Sequence, residues 1–214
     1  MVGQPLPVRE ARVNGSVMSP SGAARADRVA RWARPTRTIQ FTNFVVFQAA
    51  WFAAVLGAAH RSPLWGTAGV VAAIAWHLAV SARPAQEARL VGIACLIGLL
   101  VESANAWLGN VAYPSGQPDP HFAPYWMVAL WGLLAIALNV TMRWLKGRYW
   151  LAALLGAVAG PASFASGVKL GGAEFMHAGP ALVTMAFTWG LLMPALMWLS
   201  MHFDGVAVPE PAHA

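Results

Sequence analysis

From about residue 40 onward the chain is a succession of long apolar stretches separated by short polar breaks. Six stretches stand out: Asn43–Ala59, Leu64–Val80, Leu90–Val111, Pro124–Met142, Trp150–Ser166 and Pro180–Met201. Each comes to roughly the 17–25 residues that an α-helix needs to cross ~30 Å of hydrocarbon. Ala, Leu and Gly dominate, and the two-residue alternation of a membrane strand is missing, so the stretches read as helices rather than as a barrel. The breaks carry turn chemistry. His60-Arg61-Ser62-Pro63 is a tight turn, Tyr113–Pro124 holds four prolines, and Gly167–Gly179 has Gly171-Gly172 in its middle.

Residues 1–38 follow another rule. Seven arginines are spaced among Pro, Gly, Ser and Ala, with few large apolar residues to build a core. The segment reads as a basic, disordered cytoplasmic tail. A weak helix over Ala23–Ala33 could rest on anionic headgroups, and Met18 offers an alternative start. The apolar run after Arg37 is expected to be an uncleaved first span, not a signal peptide. The expected organisation is a tail over 1–38, an all-α polytopic bundle of about six spans over 39–203, and a short flexible C-terminal tail over 204–214.

Composition narrows the class. The 214 residues are 58% hydrophobic and 10% charged, against about 25% charged in a soluble domain. The net charge of +6 lies beside the spans rather than in one patch, so nucleic acid is not an expected partner. With six spans, the tail, Arg83 and Arg89, and Arg143, Lys146 and Arg148 share one side, which leaves Arg61 and Lys169 on the other. That bias places both termini in the cytoplasm. A single cysteine, Cys95, excludes an internal disulfide or a Cys-based zinc site and reads as a packing residue. There is no phosphate-binding loop, no dinucleotide fingerprint, no HExxH and no GxSxG, and no cofactor is called for.

Glu102 is the most informative residue. Counted from Leu90 it lies about 18 Å into the slab, where a carboxylate costs roughly 2.5–3.5 kcal/mol or more unless paired, protonated or hydrated. Asn105 shares its face at i+3, and Gly98 and Gly109 extend that face. The two readings are an acid–base or binding carboxylate and an internally bonded structural one. Matching of depths adds Trp126, Trp131, Ser163, Thr184 and Thr188, with Gly160-Pro161 expected to bend the fifth span. Gln48 and Trp51 share a face of the first span, and the Gln48 amide needs a partner. Gly156 and Gly160 read as a helix contact. Most of the 11 tryptophans mark span ends, while Trp51, Trp107 and Trp131 lie deeper. His77 reads as a snorkelling or capped side chain near the interface. The stripe Met193, Met197, Met201 reads as packing, and no histidines recur at metal-ligand spacing.

Four strings in order carry a resemblance: NFVVFQAAWFAAVLGAA (43–59), ES at 102–103 with Gly109 and Tyr113 beyond, APYWMVALWGLLAIAL (123–138) and LLGAVAGPASFASGVKLGG (154–172). Together they resemble a bacterial family of multi-pass inner-membrane proteins, the domain of unknown function 2878 family. The resemblance implies an inner-membrane location and a link to membrane-lipid modification, since members are often encoded near fatty-acyl methyltransferase and flavin amine-oxidase-like genes. It points to Asn43, Gln48, Trp51, Trp65, Gly66, Glu102, Gly109, Pro124, Trp126, Met127, Trp131, Gly160, Pro161, Gly167 and Gly171. Where the family often has Asp and Tyr, this chain has Glu102 and Phe164, so the carboxyl is kept and a hydroxyl is lost. Three functions follow as expectations. One is a lipid-active enzyme or its accessory, with membrane lipids and a tail-recruited cytoplasmic lipid-modifying protein as partners. The second is a small proton-linked transporter or lipid translocator, which would need a homodimer. The third is a structural assembly factor.

Overall fold

The structure, a computed structural model, describes residues 35–206 and the backbone of two short pairs, β1 (Arg12–Val13) and β2 (Ser16–Val17), which are antiparallel to each other. The rest of the basic tail lies outside the described residues, including the Ala23–Ala33 segment, Met18 and Trp32. So do residues 207–214.

Among the described residues six α-helices run up and down: α1 (Arg37–Ala59), α2 (Pro63–Val80), α3 (Pro84–Trp107), α4 (Tyr125–Leu138), α5 (Tyr149–Lys169) and α6 (Ala178–His202). One end of the bundle, called here the near end, holds the start of α1 and the close of α6. At the far end, β3 (Val111–Ala112) pairs antiparallel with β4 (Glu174–Phe175) and ties the α3–α4 loop to the α5–α6 loop. All helices but α4 are long and apolar enough to cross a membrane.

Local chemistry sets the helix boundaries. The Thr36 hydroxyl caps α1 by accepting from the Ile39 N–H at 3.3 Å, so α1 starts six residues before the expected Asn43. Pro63 and Pro84 open α2 and α3 in the first turn, where proline's missing N–H is harmless. Beyond the close of α3 at Trp107, Gly109 adopts a φ of +68°. The third helix is therefore shifted toward the near end relative to the expected Leu90–Val111. Glu102 sits only about 8 Å from the far end of α3, closer to that end than the depth argument placed it. Helix α4 stops at Leu138, short of the expected Met142, and its 14 residues rise about 21 Å. Ten of them are buried by the surrounding helices, so protein rather than lipid solvates this element.

Packing is inside-out. The buried positions of α1 are Asn43, Ala50, Ala54, Val55 and Ala58, and those of α5 are mostly Ala and Gly. On the outer helices large apolar groups such as Trp65 and Trp150 point outward, 83% and 91% exposed, while many of the large buried side chains, Trp126, Trp131 and Leu133 among them, belong to α4. Small residues let backbones approach, which is how helices associate where lipid removes the hydrophobic drive between them. At Gly66 a Cβ would stand 2.2 Å from the Ala53 carbonyl oxygen. Helices α1–α4 form one body and α5–α6 a hairpin laid against it, while α1 and α5 hardly touch.

Gly66→Ala should overpack the α1–α2 contact by about 1–3 kcal/mol. A lower apparent Tm in detergent is expected, whereas Gly92→Ala, with nothing within 4 Å of the added carbon, should leave it unchanged or slightly higher.

Candidate functional site

Glu102 is fully buried and holds three donors. Oε1 accepts from the Trp131 indole N–H at 3.1 Å. Oε2 accepts from the Tyr113 hydroxyl at 3.1 Å and from the Asn105 amide at 3.3 Å. The donors come from α4, from the chain after β3 and from the next turn of α3, so one carboxyl gathers three segments. Burial raises the Tyr113 phenol well above its ordinary value, and the Glu102 carboxylate raises it further. Tyr113 therefore stays protonated and able to donate.

An aromatic column surrounds the carboxyl. The Trp131 ring stacks on Trp189 of α6, with centroids 4.8 Å apart and 19° between planes. Gly98 makes room for Trp131, since a Cβ there would lie 2.2 Å from the ring, and Gly160 does the same for Trp189 at 2.3 Å. Tyr113 meets Trp126 edge to face at 5.9 Å. The Trp126 N–H donates to the Ser115 carbonyl, and the Ser115 hydroxyl donates to the Ala58 carbonyl at 2.9 Å, which fixes the proline-rich loop over the far end of α1.

Glu102 stands in the wall of a cavity of 440 Å³ lying between the α1–α4 body and the hairpin. The lining is almost wholly apolar and aromatic, and it includes Trp51, Trp126, Trp131, Phe164 and Trp189. Gln48 and Ser163 also line it, and among the described residues neither side chain makes a hydrogen bond. An amide without a partner in an apolar medium costs roughly 2–7 kcal/mol.

The structure thus brings together Glu102, Asn105, Gln48, Trp51, Trp126, Trp131 and Ser163. It does not bring Thr184, Thr188 or Pro161 into the cavity lining. Thr184 is exposed and Thr188 half-buried on α6, because equal depth does not select a face. Helix α5 continues through Pro161, and Gly160, not the proline, lines the cavity. Trp107 is 71% exposed at a helix end and is no pocket residue. Gly109 lies beyond the helix rather than on the Glu102 face. Met193 and Met197 pack in the core, and Cys95 packs against Gly132. Trp189 was not among the candidates. Its spacing of four from Met193, across from Gly156 and Gly160, is the signal that could have found it.

A second polar cluster closes the near end. Glu87, three residues after Pro84, is fully buried in the first turn of α3. Its Oε2 lies 2.8 Å from His77 Nε2, and its Oε1 accepts from the Asn139 amide at 2.7 Å and the Gly205 N–H at 2.6 Å. His77 is therefore a buried partner of Glu87, not a side chain snorkelling to the interface. Asp204 pairs with Arg143 and Lys146, each at 2.8 Å. Burial pushes the Lys146 ammonium down from its ordinary value, and the Asp204 carboxylate opposes that shift. Through these bonds Asp204 and Gly205 join the packed domain, and Val206 is buried with them. Among the described residues no three His, Cys, Asp or Glu side chains group as a metal site.

Fold and site together define a polytopic helical bundle with a buried carboxyl, held by three donors, in the wall of an apolar cavity. The chain belongs to the family described as a protein of unknown function (DUF2878), whose model matches residues 40–195. No curated protein and no solved structure matches it.

Glu87→Gln leaves one acceptor oxygen where three partners converge. A loss of about 1.5–3 kcal/mol is expected, read as a lower apparent Tm. Combining it with Asn139→Leu should cost less than the sum of the two single changes.

Proposed function

We propose that this protein handles membrane lipid in a bacterial inner membrane, as a component or accessory of fatty-acyl modification. An acyl chain would occupy the cavity and present a reacting or recognised position to Glu102. The observation that carries this reading is the 440 Å³ apolar cavity with one carboxyl in its wall. An apolar, mostly pre-formed chamber with a few placed polar groups is the usual form of a small-molecule site, and inside a bilayer the most abundant apolar solute is an acyl chain. Glu102 would act as an acid–base or binding group, with Trp131, Tyr113 and Asn105 holding its two oxygens. The basic excess at the near end supports a cytoplasmic location of both termini, where the arginine-rich tail could recruit a soluble lipid-modifying partner.

A structural role for Glu102 is the second reading. The three internal donors favour it, because a carboxyl with both oxygens already hydrogen-bonded needs no ligand to offset its burial.

Comparative lipid profiling of a deletion strain separates the two. A lipid species should vanish in the deletion, return with wild type, and fail to return with Glu102→Gln made at normal membrane level. Full restoration by Glu102→Gln would assign the carboxyl to structure. An unchanged profile in the deletion, in growth and under stress, would reject lipid modification and direct attention to transport.

A further inference from the structure

The cavity is not closed on all sides. Where α1 and α5 fail to meet, a groove of 470 Å³ runs along the gap toward the far end. Phe47, Gln48, Trp51 and Ser163 line both the groove and the cavity, so the two spaces adjoin at these residues. Ser166 and Lys169 extend the groove along α5 to the helix end. Phe52 in the groove lining and Phe44 in the cavity lining are exposed apolar groups of the kind that face hydrocarbon.

We infer that this gap is a lateral portal that admits one acyl chain of a membrane lipid with an anionic headgroup, held at Lys169. The inference rests on the lipid-handling reading and names its substrate class. Three features along the groove match the three parts of such a molecule in order. The inner chamber is apolar and aromatic, as an acyl chain requires. At the threshold stand the Gln48 amide and the Ser163 hydroxyl, polar groups with no partner among the described residues. Both can donate to the ester carbonyl oxygens of a lipid, which offer acceptors only. In hydrocarbon such groups stay unpartnered only where a ligand or water meets them. Lys169 is six residues beyond Ser163, about 9 Å along the helix, exposed at the rim. Among the described Lys and Arg residues it shares this end only with Arg61, which sits in the α1–α2 turn and outside the groove lining. A zwitterionic headgroup would gain less from one cation than an anionic one.

Native mass spectrometry of the full chain tests this directly. The protein is incubated in detergent with equimolar phosphatidylglycerol and phosphatidylcholine, and retained lipid is counted. Wild type should retain phosphatidylglycerol in preference. Lys169→Gln should cut that preference about fivefold, the effect of one basic side chain on an anionic headgroup, while Arg61→Gln should leave it unchanged. Ser163→Trp should block the threshold and abolish retention. Gln48→Leu, which keeps the shape and removes the amide, should weaken retention and serves if the tryptophan variant fails to elute as a folded species. Equal retention of the two lipids by wild type, an unaltered preference in Lys169→Gln, or undiminished retention in both threshold variants would overturn the portal. The readout is occupancy rather than turnover. A failure here is therefore distinct from a failure of lipid modification, which the cellular lipid profile decides.

Discussion

Hydrocarbon offers no hydrogen bonds, so a charged group that the helices carry inward needs its partner close at hand, in the protein, in water or in a ligand. Two carboxyls meet this constraint, and much of the architecture follows from how they do so. Glu102 draws together α3, α4 and the chain after β3. Glu87 draws together α2, the end of α4 and the segment after α6. One sits toward the far end and one at the near end. Between them α4 is held at its middle through Trp131 and at its close through Asn139, which keeps a helix too short to span a membrane alone at the centre of the bundle.

The α5–α6 hairpin is fastened to the four-helix body at three levels. The β3–β4 ribbon holds it at the far end, the Trp131–Trp189 stack in the middle, and the Asp204–Gly205 contacts at the near end. These fastenings lie along α6 and its flanks. Helix α5 is bound mainly to α6, with Gly156 and Gly160 pressed against Trp189 and Met193. The side of α5 toward α1 therefore has no neighbour, and that unfilled space is the cavity. The same small residues that tighten α5 onto α6 leave it little bulk with which to reach α1.

Glu102 could be read from the chain because a carboxyl inside an apolar run is costly wherever the helix sits. Asn105 could be read from helical spacing, and Gln48, Trp51, Trp126 and Trp131 from polar or aromatic character at depth. Thr184 and Thr188 were misplaced for a physical reason: depth along a helix fixes one coordinate and leaves its rotation free. Glu87 was hidden because it looks like a loop acid before the apolar run begins at Leu90. Pro84, which opens the helix and brings Glu87 into its first turn, was the clue.

The sequence by itself determined the solvent and the elements. Apolar length, turn residues and the scarcity of charge define six helices, and hydropathy is a local property that needs no knowledge of neighbours. Only the tertiary structure decided which faces meet. It placed Trp189 under Trp131, turned His77 inward onto Glu87, and left α1 and α5 apart so that a carboxyl borders an open chamber. These outcomes depend on helix order and rotation. In a chain whose helices are apolar all round, hydrophobicity does not encode them, because the inward and outward faces are alike to the solvent. The shapes of small residues and the demands of a few buried polar groups settle the matter instead.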